Sequence, residues 1–331
     1  MRAHAQGQLV NIVSQIPPEI WDRELPTGMG RRFVHTSEPV PADIHVIYGL
    51  RSALEIPNSP RNTIFVASEP PEIRRYNLRV LDHYRYILAP DFGYLRRLPN
   101  FREVTAIAPW WVGSNSGGSD HYTPASTRVT LTRSDFQVGL APTDEKLSII
   151  VSAKARTPVQ EQRLRLVDFL ASRISEIEIY GPNFEHLVDK ADALRKSRYH
   201  LSVENSLHPG YWTEKLSDPL LMDNVVFYGG DPNIGQHFDS GSVKTIDPFD
   251  MQGTYSQVMR GLEEGLWAQS SRAREKNRQL VLDTFSFHRV LSKFLDDFDL
   301  TQSGKRYFAV PQHHPKSGIK RVLDPIYRLF N

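Results

Sequence analysis

The sequence of 331 residues contains no cysteine. This absence excludes disulfide bonds, thiolate nucleophiles and zinc sites built on thiolates, and it fits a reducing compartment. Uninterrupted apolar runs of about 18 residues, the length that a membrane-spanning helix needs, are also missing. The first residues are interrupted by Arg2, His4 and Gln6 and do not resemble a secretory leader. The sequence therefore predicts a cytoplasmic protein, at most peripheral to the inner face of the cell membrane.

A strong charge of one sign is missing as well. The 40 lysine and arginine residues face 38 aspartate and glutamate residues, which gives a formal net charge of +2. So small a charge gives no whole-molecule field that would favour nucleic acid. Hydrophobic residues make up 40% of the chain and charged residues 24%, as in a typical globular protein. A chain of this length predicts about two domains, each with its own core.

Strand-like and helical segments alternate along the chain, which favours an α/β fold with mostly parallel sheets. The predicted strands are Leu9–Val13, Ile44–Tyr48, Thr63–Ala67, Tyr84–Leu88, Arg128–Thr132, Leu147–Val151, Glu176–Tyr180, Tyr199–Val203 and Val225–Tyr228. The turn-forming stretch from Gly139 to Glu145 predicts a domain boundary. We expect an N-terminal domain over 1–142, a C-terminal domain over 143–300 and a tail over 301–331.

Two predicted helices of the second half have capping residues. Thr157, Pro158 and Gln160 have the types and spacing of an N-cap, a first helical position and a capping box. Thr213 predicts a second N-cap. Pro219 falls inside that second helix, where it removes the N–H that would bond the carbonyl oxygen of Lys215 and predicts a kink. Residues 270–295 predict one long helix.

Polar side chains follow two of the predicted strands and open the helices after them. Parallel strands end at one edge of a sheet, where helix N-termini also gather, so these side chains predict an anion site suited to a nucleotide. Arginine and lysine can neutralise a diphosphate, and a carboxylate can accept hydrogen bonds from ribose hydroxyls. Ordinary surface and first-turn residues are the alternative. The side chains are Ser152, Lys154, Arg163, Glu204, Asn205, Ser206, Tyr211, Glu214 and Lys215.

The segment Tyr199–Lys215, YHLSVENSLHPGYWTEK, resembles the donor-site signature of the α-1,3-fucosyltransferases, glycosyltransferase family 10. That signature reads F-x-L-x-F-E-N-S, a short spacer, then Y-V-T-E-K. Residues 163–181, 225–229 and 243–249 are similar to flanking family segments in the same order, and 60–112 are similar more weakly. The seven identities within the signature are Glu204, Asn205, Ser206, Tyr211, Thr213, Glu214 and Lys215.

The resemblance implies a GT-B architecture, in which two Rossmann-like domains face a central cleft. It implies an inverting glycosyltransferase that moves L-fucose from GDP-fucose to a hydroxyl of a glycan or lipid-linked glycan acceptor. No tightly bound cofactor and no nucleic acid partner are expected, although a non-essential divalent cation is compatible. The chain lacks the cysteines and membrane anchor of animal members and is therefore similar to the soluble bacterial branch.

The resemblance also implies roles for individual donor-site residues. By motif position, Arg163 and Lys215 are expected at the diphosphate and Glu214 at the ribose. Asn205 and Tyr211 are expected along the nucleotide–sugar pocket. Two further residues are assigned to donor binding, Ser152 and Glu204, and for Glu204 a structural role behind the site is the alternative.

Glu69, within residues 64–71 (IFVASEPP), is the candidate general base for the acceptor hydroxyl. This segment is similar to the family's M-E-S-P segment, and Glu69 ends a predicted strand at the edge of the first domain. The alternative is an ordinary carboxylate at a helix start ahead of Ile73.

Departures from the family pattern keep other readings open. Pro182 and Asn183 follow Gly181 where the family has a small or basic loop, so a relative using another GDP-sugar is one alternative. A non-catalytic nucleotide-sugar-binding module is another.

Two further patterns do not predict a metal site. Asp297-Phe298-Asp299 has the D-x-D form but falls at a helix end, where solvated carboxylates are common. His313 and His314 lie between prolines without further ligands at metal spacing.

The tail 318–330 mixes basic and apolar residues. Packing against the domains is favoured for it over a membrane contact.

Overall fold

The computed structural model describes residues 7–49, 54–56, 62–105, 107–117, 123, 125–181, 184, 187–297 and 308–310. The chain divides into two compact α/β units. Unit 1 comprises residues 1–104, 115–129 and 291–331, and unit 2 comprises residues 105–114 and 130–290. The dipeptide His313-His314, the residues Phe298 and Asp299, and the C-terminal tail over 318–330 lie outside the described residues.

This division differs from the predicted boundary at residue 142. Trp110, Leu131 and Phe136 precede that boundary, yet they share a hydrophobic cluster with Leu216 and Leu220 of unit 2. Beyond residue 290 the chain belongs to unit 1. Apolar packing, which a turn-rich stretch does not reveal, therefore determines where the units separate.

A buried carboxylate fastens two of the early segments within unit 2. Asp189 is 6% exposed. It accepts hydrogen bonds from the backbone N–H of Gly113 at 3.0 Å and from the hydroxyl of Thr130 at 2.6 Å. The same side chain accepts from the N–H of Ala191 and so caps a helix. Residues 105–114 and 130 are thus held by polar as well as apolar contacts.

Unit 1 is built on a six-stranded sheet in which every pairing is parallel, in the order β2-β1-β3-β5-β6-β7. Strands β3 and β5 are buried along their whole length, as expected for central parallel strands covered on both faces. The elements are β1 (Leu9–Val13), α1 (Pro18–Asp22), β2 (Arg32–Thr36), β3 (Ile44–Tyr48), β4 (Leu54–Ile56), β5 (Thr63–Val66), α2 (Leu78–Leu81), β6 (Tyr86–Ala89), β7 (Phe101–Glu103), β8 (Ser114–Asn115) and β9 (Arg128–Val129).

Unit 2 is built on a five-stranded parallel sheet, in the order β11-β10-β12-β13-β14. The order reverses between β10 and β12, and this reversal is the switch point at which doubly wound sheets bind ligands. The elements are α3 (Arg133–Val138), β10 (Asp144–Ile150), α4 (Pro158–Ala171), β11 (Ile177–Tyr180), α5 (Lys190–Lys196), β12 (Ser197–Val203), α6 (Glu214–Leu221), β13 (Val225–Gly229), β14 (Val243–Thr245), α7 (Met251–Glu263), α8 (Leu266–Gln269) and α9 (Ser271–Asp283). The predicted α/β class and every predicted strand are confirmed, with ends shifted by a few residues.

Helices cover both faces of the unit 2 sheet. On one face, Leu166 and Leu170 of α4 and Val258 of α7 pack against inward residues such as Leu147 and Leu201. On the other face, α3, α5, α6 and α9 pack around residues of β13 and β14. Each strand therefore divides its side chains between two cores, which fixes the direction of the loops at its carboxyl end.

The single helix predicted over 270–295 is wrong. It is divided into α9 and α10 (Phe287–Leu295). The backbone N–H groups of Thr284 and Phe285 both donate to the carbonyl oxygen of Leu280, which ends α9. The ring of Phe285 then packs 5.6 Å from that of Trp212 and 5.3 Å from that of Phe238. Burial of this ring competes with helix continuation and wins. A last strand, β15 (Phe308–Val310), pairs antiparallel with β4.

Candidate functional site

The switch point of unit 2 places two polar loops side by side. The loop after β10 carries Ser152 and Lys154, and the loop after β12 carries Glu204 and Asn205. Both N-caps predicted from the sequence are present in the helices that follow. The hydroxyl of Thr157 accepts from the N–H of Gln160, and that of Thr213 accepts from the N–H of Lys215. The helix starts α4 and α6 therefore open at the same sheet edge.

Arg163 joins the two loops. Its guanidinium donates to the amide oxygen of Asn205 at 3.1 Å and to the hydroxyl of Ser152 at 3.3 Å, with a longer contact of 3.5 Å to the carbonyl oxygen of Lys154. Burial lowers the pKa of Arg163, and nearby Glu204 counters that shift. Arginine stays protonated even so. Within the described residues no carboxylate lies within salt-bridge distance of Arg163, and its Nε has no hydrogen-bond partner.

Glu204 has a fully buried side chain. Its carboxylate accepts from the backbone N–H of Thr213 at 2.8 Å and from the Thr213 hydroxyl at 3.0 and 2.9 Å. The contact fixes the start of α6 against the end of β12. Gly230 keeps this space open, because a Cβ there would lie 2.7 Å from Cγ of Glu204 and 2.1 Å from the hydroxyl oxygen of Tyr228. Glu204 thus lies behind the surface that a ligand would meet.

Five side chains of alternating charge run along the start of α6, and we name them the charged row: Asp218, Lys190, Glu214, Lys215 and Glu204. Successive N···O distances are 2.8, 3.6, 3.2 and 3.6 Å. The two ends are buried, with side chains 2% and 0% exposed, whereas the three middle members are 19% to 27% exposed. The row therefore presents two ammonium groups around one carboxylate at the surface.

The neighbours of each charged group decide its protonation. Burial opposes charge on Glu214, but Lys215 and Lys190 outweigh it and lower the pKa of Glu214 to about 2. Burial also opposes charge on both lysines, and their carboxylate neighbours outweigh it and raise both pKa values. At the two buried ends, burial dominates and raises the pKa of Glu204 and Asp218. Lys190, Glu214 and Lys215, in the middle of the charged row, are therefore charged at neutral pH.

Three residues of this region were missed by the sequence reasoning. Lys190 and Asp218 belong to the charged row, and Asp218 also accepts the backbone N–H of Trp111 at 2.9 Å. His200, in the middle of β12, is buried and lies 2.8 Å from the hydroxyl of Ser148 through its Nδ1. Burial first, and Lys190 second, lower the pKa of His200 to about 3. No local pattern marks these residues, because their partners are distant in sequence.

Two other predicted site residues have different surroundings. The side chain of Tyr211 is 2% exposed, so most of its ring is covered within unit 2. In unit 1, Glu69 follows β5, and its N–H donates to the hydroxyl of Tyr76 at 3.4 Å. After it the chain makes only a turn, in which the N–H groups of Ile73 and Arg74 donate to the carbonyl oxygen of Pro70. Glu69 therefore does not lie at the start of a helix.

A surface depression of about 430 Å³ lies elsewhere in unit 2. It is lined by residues at the end of β14 and the start of α7, among them Asp247, Asp250 and Arg260. Neither Arg163 nor the charged row lines it. Its two carboxylates would repel a diphosphate, whereas cations gather at the switch point.

Neither metal ligation nor membrane crossing is indicated by the part of the chain that the structure describes. It contains no group of three or more His, Asp or Glu side chains arranged to hold a metal ion. Its longest apolar helices also fall short of what is needed to cross a membrane.

Comparison with known proteins identifies the family of this region. Residues 143–265 match the family model described as glycosyltransferase family 10 (fucosyltransferase), C-terminal part. The chain carries a family 10 glycosyltransferase domain. The matched region contains Arg163, Asn205 and the whole charged row. The resemblance first indicated by Tyr199–Lys215 is confirmed, and the chain is a glycosyltransferase.

Solved structures agree on the fold of nearly the whole chain. An α1,3-fucosyltransferase with GDP aligns with a TM-score of 0.53 at 13% identity, covering 91% of this chain and 94% of its own. An α1,3-fucosyltransferase with GDP-fucose aligns with a TM-score of 0.52 at 14% identity, covering 91% and 95%. The predicted GT-B fold class is confirmed.

Proposed function

We propose that this protein is an inverting glycosyltransferase that moves L-fucose from GDP-fucose to a hydroxyl of a glycan acceptor. One observation carries the proposal. The switch point of a family 10 domain brings the guanidinium of Arg163, the amide of Asn205 and the exposed middle of the charged row to one sheet edge. This combination of cations, amide and carboxylate suits the diphosphate and ribose of a nucleotide sugar.

The diphosphate is assigned to Arg163 and Lys215. Arg163 is the less neutralised of the two, because its neighbours at hydrogen-bond distance are neutral oxygens rather than carboxylates. A guanidinium is permanently charged and can pair with two phosphate oxygens, which would replace its neutral oxygen partners. Lys215 adds a second cation, although it shares its charge with Glu214 and Glu204. Together they stabilise the charge that builds up on the departing GDP.

The ribose is assigned to Glu214. Its carboxylate is ionised, lies at the first helical position of α6 and keeps part of its surface open. An ionised carboxylate can accept two hydrogen bonds from a pair of neighbouring hydroxyls. Asn205 and Ser152 orient Arg163, and Glu204 holds the helix start from behind. Tyr211 supports the loop between β12 and α6.

The transfer itself is assigned to a single displacement. The acceptor oxygen attacks the anomeric carbon, the bond from that carbon to the diphosphate oxygen breaks, and GDP leaves with the electron pair. Glu69 takes the proton of the acceptor hydroxyl as general base. Attack from the face opposite the leaving group inverts the anomeric configuration. No metal ion is assigned a part in this step, although a non-essential divalent cation is compatible with it.

The test is GDP release from a panel of GDP-sugars, offered with an array of glycan acceptors. We expect GDP-fucose to be consumed with a β-galactoside or N-acetylglucosamine acceptor, free or lipid-linked, and the product to be an α-fucoside by NMR. Turnover of another GDP-sugar with none of GDP-fucose would contradict the fucose assignment. The altered loop after Tyr180 motivates that second candidate.

A third candidate is a binding module that retains the nucleotide site without catalysis. GDP binding with no turnover of any donor would favour it. For the active enzyme we propose a cytoplasmic location, with an acceptor that is lipid-linked at the inner face of the membrane.

A further inference from the structure

Lys190 belongs to the charged row, but the proposed function assigns it no contact with the nucleotide. It is the first residue of α5, directly after the N-cap Asp189. Its ammonium lies 2.8 Å from Asp218 and 3.6 Å from Glu214. The lysine therefore links a buried carboxylate on one side with a partly open carboxylate on the other.

The buried side of this link is rigid. The second oxygen of Asp218 accepts the backbone N–H of Trp111, and its side chain is almost fully buried within unit 2. Because Asp189 caps α5, the backbone that carries Lys190 is fixed as well. An ammonium tied at both its backbone and its charged end has few positions left.

The open side of the link is held less firmly. Glu214 contacts the Lys215 ammonium at 3.2 Å and the Lys190 ammonium at 3.6 Å, and it shares a side-chain hydrogen bond with Thr213. Lys215 is expected to turn toward the diphosphate when a donor binds, which weakens its hold on Glu214. Lys190 then remains as the cation that keeps the carboxylate charged and directed.

We propose that Lys190 is a positioning residue for donor binding, which holds the Glu214 carboxylate in place for the ribose hydroxyls. The inference rests on the function proposed above, and it names a residue and a division of labour within that site. Lys215 serves the diphosphate, and Lys190, tied to Asp218, serves the ribose through Glu214.

A nucleotide that lacks the ribose hydroxyls provides the decisive test. Affinities of GDP and 2′,3′-dideoxy-GDP are measured by calorimetry for the wild type and for Lys190→Met. We expect Lys190→Met to weaken GDP binding about three- to tenfold, and binding of the dideoxy nucleotide by less than about twofold. Equal weakening of both nucleotides would show that Lys190 acts as a general cation and would overturn the inference.

Conservative and distant variants serve as controls. Lys190→Arg keeps the charge and should restore most of the GDP affinity. Lys276→Met removes a lysine that also forms an ion pair, with Asp239, on the exposed surface of α9, and it should leave both affinities unchanged. Lys190→Gln keeps a polar group beside Asp218. Like Lys190→Met, it should weaken the binding of GDP more than the binding of the dideoxy nucleotide. If Lys190→Gln binds both nucleotides as the wild type does, the inference is wrong.

A pH profile gives an independent readout. With GDP-fucose, whose diphosphate does not titrate near neutrality, the wild type should bind equally well from pH 8 to 5.5. Charged groups around Glu214 are Lys215, Lys190, Glu204 and Asp218, and His200 is neutral in this range. Burial raises the pKa of Glu214, and Lys190 counters that effect. In Lys190→Met the Glu214 carboxylate should therefore be protonated more readily, and the affinity for GDP-fucose should fall further as the pH drops. A profile parallel to the wild type would count against the inference.

Failure here and failure of the proposed function give different results. A wild type that binds no GDP contradicts both. The inference alone is contradicted if the wild type binds GDP more tightly than the dideoxy nucleotide and Lys190→Met shows the same preference.

Discussion

The hydroxyl of Ser202 donates a hydrogen bond of 2.5 Å to the carbonyl oxygen of Lys215. This carbonyl would ordinarily accept the N–H four residues later, but that residue is Pro219, which has none. The backbone group released by Pro219 is thus satisfied from the neighbouring strand, and α6 continues to Leu221 with the proline inside it. The exchange ties Lys215 to β12, next to Glu204.

Removing the Ser202 hydroxyl is expected to destabilise the protein. In Ser202→Ala the carbonyl of Lys215 is left buried without a donor, at a cost of roughly 1–3 kcal/mol. Urea denaturation measures the loss. In a Pro219→Ala background the restored N–H can donate to that carbonyl, so the same serine substitution should cost less. Ser256→Ala, which removes a hydroxyl from the exposed face of α7, should have little effect. Equal losses in both backgrounds would show that the two groups do not compensate.

Arg163 is expected to dominate nucleotide affinity. Arg163→Gln should weaken GDP binding about tenfold or more, since a charged hydrogen bond to phosphate contributes roughly 1.5–3 kcal/mol. Calorimetry provides the measurement. Arg165 offers a matched control on the same helix, because its side chain is exposed and pairs with Glu161 at 3.7 Å. If Arg163→Gln and Arg165→Gln bind GDP equally well, Arg163 has no place at the diphosphate.

Glu69 is expected to affect turnover without affecting donor binding. Glu69→Gln keeps the size of the side chain but cannot take a proton, so the rate should fall about 10²- to 10⁴-fold. Steady-state GDP release and GDP calorimetry separate the two quantities. Glu72→Gln changes an exposed neighbour and should retain wild-type turnover. Full activity in Glu69→Gln would require a different base.

His200 is expected to make stability depend on pH. Its pKa is lowered from 6.5 to about 3 in the folded protein, first by burial and then by Lys190. The unfolded chain therefore binds the proton first, and stability that is present above pH 6.5 is lost as the pH falls toward 3. Between pH 7 and 5 this amounts to about 2 kcal/mol.

Urea denaturation at pH 7 and pH 5 tests the assignment. His200→Asn keeps a polar atom near Ser148 and should shrink the difference between the two pH values by about 2 kcal/mol, whatever its effect at pH 7. His83→Asn, at an exposed histidine, should leave the difference unchanged. An unchanged difference in His200→Asn would mean that other groups carry the acid sensitivity.

Local chemistry made much of the candidate site predictable. A threonine N-cap satisfies free N–H groups of the first helical turn through contacts within a few residues, so Thr157 and Thr213 marked the starts of α4 and α6. Parallel strands place their carboxyl ends together, so Arg163 and Asn205 could be expected near each other. Gln160 shows the limit of such rules. Its side chain accepts the N–H of Arg156 instead of closing the predicted capping box on Thr157.

What could not be predicted depends on partners far apart in sequence. Lys190 and Asp218 are 28 positions apart, and Asp218 and Trp111 are 107 apart. Each residue alone looks like an ordinary charged group on a helix. The end of α9 was missed for a similar reason, because only the folded core offers Phe285 the rings of Trp212 and Phe238.

The buried carboxylates of unit 2 set a limit on recombinant truncation. A fragment that began at residue 143, where the family 10 match begins, would delete the donors that Gly113 and Thr130 supply to Asp189 and that Trp111 supplies to Asp218. Asp189 would be left with the N–H of Ala191 and Asp218 with the ammonium of Lys190, and the rings of Trp110 and Phe136 would be missing from the core. A fragment of unit 2 intended for crystallisation or display must therefore retain residues 105–114 and 130–142, which precede the family match.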